Sequence, residues 1–224
     1  IKSKNMKNLK QIALVAFAIF STQFYAQTKT GAVTYEMTMP DNEEMAAMGS
    51  NTIKISFNEK STATQIDMMG GMISMKTITA DKSKTKETRM LMDMMGQKYE
   101  ITGDSVSGFG NTNIGSLKDA ESVTYDKKST KEILGYKCYK AVVKMTGGLI
   151  SNFYITEAIA SQGKADDKFK LTGFPLEIEV NSEKGKVIML ATAFDKAPSA
   201  TCFTVPEGYE KVTQEELKQK LGGF

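Results

Sequence analysis

The sequence predicts a mainly β protein, a strongly curved antiparallel sheet or incomplete β-barrel with a few short helices and a C-terminal helix packed on the sheet. Three observations carry this. Apolar and polar residues alternate at period two in about ten to twelve short runs. Glycine-containing turn clusters separate the runs, as a meander needs. Helical patterns are few and short, the clearest a capped one at the C-terminus.

In the first run Val33, Tyr35, Met37 and Met39 share one face, against Thr34, Glu36 and Thr38. Ile53, Ile55 and Phe57 repeat the pattern against Thr52, Lys54 and Ser56. Thr62, Thr64, Ile66 and Met68 make a third strand, GMISMKTIT a fourth, and TRMLMDMM a fifth with Met90, Met92 and Met94 on one face. QKYEIT, SVTYD, KCYKAVVKM, LISNFYIT, PLEIEV, KVIMLATAFD and the short CFTV complete the series. In PLEIEV the apolar Leu176, Ile178 and Val180 oppose Glu177 and Glu179, which places both carboxylates on a solvent face. So many sequential strands imply antiparallel neighbours and a sheet that curls to limit its open edges.

Helix is a minority element. Asp41 and Glu44 open one short turn ending at Gly49, and residues 157–161 read as one or two turns. At the C-terminus Thr213 and Glu216 form a capping box, Val212 and Leu217 a hydrophobic staple, and Gly222-Gly223 the stop, with Leu217 and Leu221 facing the sheet. Residues 103–120 lack either period and read as a loop, a flap over an opening. Residues 163–173, with Asp166 and Asp167 among lysines, read as a solvated loop.

The first 26 residues stand apart. From Met6 the chain reads MKNLKQ, then the apolar IALVAFAIF, then STQFYA before Gln27. A basic start, a short apolar run and a small residue at the cut make a secretory signal peptide cleaved after Ala26, and the run is too short to span a bilayer. Ile1 to Asn5 precede Met6 as upstream sequence. The domain is then residues 27–224, 198 in number, a single β-rich unit in the periplasm or outside the cell. The chain carries a formal net charge of +3, but Lys2, Lys4, Lys7 and Lys10 lie in the removable segment, leaving 25 basic and 26 acidic residues. The basic surface that nucleic-acid binding needs is gone. The mature protein has no transmembrane segment, and its oligomeric state is open.

Composition removes most catalysis. The chain has no histidine, which excludes Ser-His-Asp and Cys-His nucleophiles, HExxH zinc hydrolysis and histidine-ligated metals. Glu177 and Glu179 are no acid/base couple, since alternation explains them, and no P-loop, dinucleotide fingerprint or EF-hand is present. No cofactor is implied, and the protein reads as no enzyme. Cys138 and Cys202 form a possible disulfide, as two thiols of an exported domain often do.

Methionine is the unusual feature. Twelve of the chain's fifteen lie between Met37 and Met95. Thioethers on an inner face suit an irregular core, or a cavity for apolar ligands. They also suit cuprous ion, with Met37, Met39, Met90, Met92 and Met94 as ligands in M-x-M pairs, although residues two apart on a strand are roughly 6.6 Å apart and a shared ion needs a neighbouring strand too. The three readings stay open. Met69, Met72 and Met95 disturb the alternation, so at least some of the methionines must face solvent or a partner.

The runs ILGYKCYKAVV (133–143), FYIT (153–156), GFPLEIEV (173–180) and FTVPEGYEKV (203–212) together resemble exported bacterial proteins of domain of unknown function family 4412, and more weakly the family named for its GLPGLI motif, where this chain has GFPLEIEV. The resemblance covers residues 133–212 and leaves Met37 to Met95 unexplained. It implies the lipoprotein-carrier fold of the LolA/LolB kind, an incomplete barrel over an apolar cavity in the periplasm, with no established activity. Combined with the strand pattern, it leads to an exported binder of a lipid or lipoprotein-like ligand, its lining drawn from Val33, Tyr35, Met37, Met39, Ile53, Ile55, Phe57, Met68, Met90, Met92 and Met94. A methionine-rich Cu(I) protein and a partner-docking module without ligand are the alternatives.

Overall fold

A computed structural model describes residues 27–42, 49–80, 88–102, 117, 119–162, 168–182 and 185–221. The expected signal segment, the turn expected at 43–48, most of the expected 103–120 loop and Asp166-Asp167 lie outside the described residues. Twelve strands form one sheet: β1 (Gly31–Thr38), β2 (Asn51–Phe57), β3 (Thr62–Met68), β4 (Ile73–Thr79), β5 (Thr88–Met94), β6 (Gln97–Thr102), β7 (Ala120–Ile133), β8 (Tyr136–Met145), β9 (Ile150–Thr156), β10 (Phe174–Ser182), β11 (Gly185–Asp195) and β12 (Glu210–Thr213). One helix, α1 (Gln214–Lys220), follows.

Two antiparallel meanders make the sheet. β1 to β6 run outward to one edge, β7 to β11 run inward from the other, and β1 pairs β11 at the centre. After β11 the chain crosses back, β12 adds to β6 in parallel, and the sheet ends at β12 and β7 without closing. Curvature is strong enough to bring distant strands together. Phe57 of β2 stacks on Phe174 of β10 at 5.2 Å although β1 and β11 lie between them. The Tyr35 hydroxyl of β1 donates to the Pro175 carbonyl of β10 at 2.7 Å, and burial holds that phenol well above its ordinary range.

The alternation read from the sequence becomes a core. Val33, Tyr35, Ile53, Ile55, Phe57 and Ile66 pack with Ile133, Cys138, Ile159, Phe174 and Leu176. Ala141, Val143, Phe153, Ile155 and Ile178 form a second cluster with Leu117 and Leu171, and Met189 touches both. A third joins Met90, Met92, Tyr99 and Ile101 to Val212, Leu217 and Leu221, so α1 covers this face of β5 and β6. The opposite face carries Ala63, Ile78 and Leu91 under Phe203, Val205 and Tyr209 of the β11–β12 connection. The chain thus wraps the β6 edge from both sides. Thr213 and Glu216 form the expected reciprocal cap on α1.

Several expectations change. CFTV is no strand: residues Ala200–Phe203 make a 3₁₀ turn, opened by the Ser199 hydroxyl accepting from the Thr201 N–H at 3.3 Å, and the last strand is Glu210–Thr213. Residues 157–161 form no helix, because Ile159 bridges to Thr28 in parallel. β1 stops at Thr38, leaving Met39 in the following turn. SVTYD is the start of a fourteen-residue strand.

The expected disulfide is absent. Cys138 and Cys202 are both free thiols. Cys138 is buried on β8 in the first core cluster, whereas Cys202 lies in the 3₁₀ turn beside Phe203, which packs with Ala63, Ile78 and Leu91 on the opposite face of the sheet. Bridging needs Cα atoms within about 7 Å.

Candidate functional site

Cross-strand register explains the methionine concentration. The pairs Met189/Met37, Met37/Asn51, Met68/Ile73 and Ile73/Met94 place one row of residues across β11, β1, β2, β3, β4 and β5. The next row inward runs Ala191, Tyr35, Ile53, Ile66, Met75, Met92 and Tyr99. Residues separated by dozens of positions become neighbours about 4.8 Å apart, the spacing of paired strands. A methionine repeated at period two along β5 (Met90, Met92, Met94) therefore contributes to three successive rows.

Burial falls from row to row. Of the eleven residues expected to line a cavity, Val33, Tyr35, Ile53, Ile55, Phe57, Met90 and Met92 are buried in core clusters. Met37, Met39, Met68 and Met94 are half-buried. Ile73, Met75 and Met189 share that half-buried condition on the same face, and the sequence reading left them out. Their own alternation within β4 and β11 was visible, but which rows they joined was not. The outer row is an apolar ledge between the first core cluster and the one under α1. Flexible thioethers on such a ledge adapt to varied apolar shapes. Two open surface clefts lie elsewhere, one beside α1 lined by Glu210, Val212 and Lys220, the other by Leu134, Tyr136 and Phe194.

Neither cuprous-ion geometry nor plain solvent exposure describes the strand methionines well. Met90 and Met92 are packed in the core, and Met37 packs against the first core cluster while Met94 packs against the one under α1. The three irregular ones behave as expected: Met69, Met72 and Met95 are exposed, at 38%, 51% and 76%.

A polar group inside the second meander was read wrongly. Glu177 is buried, not on a solvent face. The register shifts between Pro175 and Glu177, re-aiming the side chain toward β7, where the Lys131 ammonium donates to Glu177 Oε1 at 2.6 Å and lies 3.8 Å from the Tyr154 ring centre. Glu179, also expected on the solvent face, is partly buried, its side chain 22% exposed, and pairs with Lys186 at 3.2 Å.

Cys138 adjoins this pair. Burial first, and then the Glu177 charge, push its thiol up to about 11 from 9.0, while Lys131 pulls it down. The folded state therefore holds the thiol proton more tightly than the unfolded state does. Its contribution to stability is intact below about pH 9 and is lost as pH climbs through about 11. Near pH 8 a thiol reagent is expected to modify Cys202 quickly and Cys138 only on unfolding, read as one fast equivalent in native protein and two in denaturant. Two fast equivalents in native protein would contradict the burial.

No family model matches the chain, and no curated protein does. Among solved structures, an uncharacterized conserved protein from Thermus thermophilus is similar over 84% of this chain and 91% of its own, at 11% identity and a TM-score of 0.48. Lipoprotein LppX of Mycobacterium tuberculosis is similar over 78% of this chain and 90% of its own, at 9% identity and a TM-score of 0.40. PNGF-II is similar over 85% of this chain at 11% identity and a TM-score of 0.38, and the chain spans only 32% of that protein.

Proposed function

We propose that this is an exported, non-catalytic protein that takes an apolar or amphipathic molecule, a lipid or lipoprotein-like ligand, against the half-buried methionine row of its curved sheet. The observation that carries this is the row itself. Met189 and Met37 on one side of Asn51, and Met68, Ile73 and Met94 on the other, form a half-buried, largely apolar row on a face whose next row inward is mostly buried. Burying such side chains against acyl chain removes apolar area from water at roughly 25 cal/mol per Å². The signal-peptide pattern read at residues 6–26 supports residence in the periplasm or outside the cell.

The test is native mass spectrometry and solvent extraction of protein recovered from the periplasm of a bacterial host. A lipid adduct is expected on the wild type. In Met94→Glu the carboxylate stays half-solvated, so the fold holds while the ligand loses its apolar ledge, and adduct occupancy should fall by about tenfold or more. Wild-type protein that arrives without lipid sinks the proposal. If it carries no metal either, a docking module without ligand takes its place.

A further inference from the structure

The three methionines outside the rows share one place in the fold. The β3–β4 connection and the β5–β6 hairpin turn lie at the same end of the sheet, and the Met95 N–H donates to the Met72 carbonyl at 2.9 Å across them. Met72 in turn donates its N–H to the Met69 carbonyl, at 3.5 Å. Three exposed thioethers are thereby tied together through their own backbone. Two of them stand in a backbone conformation that methionine disfavours. Met69 and Met95 have φ of 54° and 51°, each followed by a positive-φ glycine, Gly70 and Gly96. Asparagine, aspartate or glycine would be the easy choices at that place in a tight turn.

The turn itself does not ask for sulfur. At the opposite end of the sheet the β7–β8 hairpin uses the same arrangement with Leu134 at φ 53° before Gly135. Exposed methionine offers no burial to repay its place at a strained tip, whereas a soft metal ion would give it a role. Other soft ligands are withheld among the described residues: the chain has no histidine, Cys138 is buried, and Cys202 sits in the 3₁₀ turn after β11.

We propose that the paired tips are a binding site for a soft monovalent cation, cuprous ion, held by the thioether sulfurs of Met69, Met72 and Met95. Its ligands are not members of the M-x-M pairs of the strands or of the apolar row, although they follow Met68 and Met94 and precede Ile73 in the chain. Neutral thioethers have no proton to lose, so binding persists in acid where cysteine and histidine sites fail. The fold supplies close backbones, and the flexible side chains converge on the ion.

Silver(I), a redox-inert soft cation, is the probe. Titrated into mature protein labelled with ¹³C at the methionine methyls, it is expected to shift three methyl resonances saturably at one ion per chain, alike at about pH 5 and about pH 7 since thioethers do not titrate. The variant Met69→Leu with Met72→Leu and Met95→Leu should lose that saturable step while remaining folded, because Leu134 already occupies the same turn conformation. Met145→Leu, a half-buried position outside the tips, should bind like wild type. A saturable step that survives in the triple variant, shifts confined to Met37, Met68 and Met94, or no saturable shift at all overturns the proposal. Lipid occupancy of the triple variant should match wild type, which keeps this result distinct from the fate of the apolar-ligand reading.

Discussion

Phe57→Ala is expected to destabilise the fold by about 3–5 kcal/mol, the range for removing a buried aromatic side chain and leaving a cavity. Phe57 is fully buried, and its ring stacks on Phe174 from the far side of two intervening strands. That contact is long-range in sequence and holds the curl of the sheet, so the loss is not repaired by local relaxation. Neighbours on both meanders, Val33, Ile55 and Leu176 among them, belong to the same cluster and feel the void. For a domain of this size the melting temperature should fall by roughly 6–20 °C. Phe57→Leu keeps much of the volume and should cost less than half as much. Thermal and denaturant unfolding of the two variants, compared with wild type, reads this directly. A Phe57→Ala variant as stable as Phe57→Leu would mean that the stack does not hold the two meanders together.

The strands with one buried face were legible because burial on one side writes period two into the sequence. Val33, Tyr35 and Met37, or Ile53, Ile55 and Phe57, need nothing else to be read. β7 was legible only in its first third. It is an edge strand, and exposed residues on both faces from Tyr125 to Lys128 erase the period over the stretch DKKSTKEI. CFTV has a strand's composition, but its apolar Phe203 and Val205 serve a connection that crosses over β3, β4 and β5 instead of pairing with them. The candidate site was half legible. Alternation identified Met37, Met68 and Met94 as inward, yet their assembly into a row depends on strand pairing between distant segments, which no local pattern encodes. Glu177 shows the opposite failure. Its alternation with Leu176 and Ile178 was real, but the register shift next to Pro175 and the reach of Lys131 from β7 turned a solvent position into a buried one.

Lys131→Met should be the most damaging change at a residue that is itself partly exposed. The Glu177 side chain is only 8% exposed and Lys131 36%, so the carboxylate has surrendered its water while the ammonium has kept part of its own. Removing the ammonium leaves a desolvated carboxylate facing the Tyr154 ring. Breaking a fully buried pair costs about 3–5 kcal/mol, and partial access of water at Lys131 reduces the expected loss to about 2–3 kcal/mol. The reverse change is milder. Glu177→Gln frees Lys131 to turn outward to solvent along its flexible stem, so the loss should be about 1 kcal/mol. Joining Lys131→Met to Glu177→Leu removes both charges together and should restore most of the stability, since a paired buried charge set can be replaced by apolar groups at little net cost. Cys138 reports the same electrostatics independently. Lys131 pulls its thiol down and Glu177 pushes it up, so Lys131→Met raises its titration further and Glu177→Gln lowers it. Guanidinium unfolding of the three variants, with thiol titration by ultraviolet absorbance, tests the ordering. Equal losses for Lys131→Met and Glu177→Gln would show that the pair is held by packing alone, and that the buried carboxylate is not what makes Lys131 necessary.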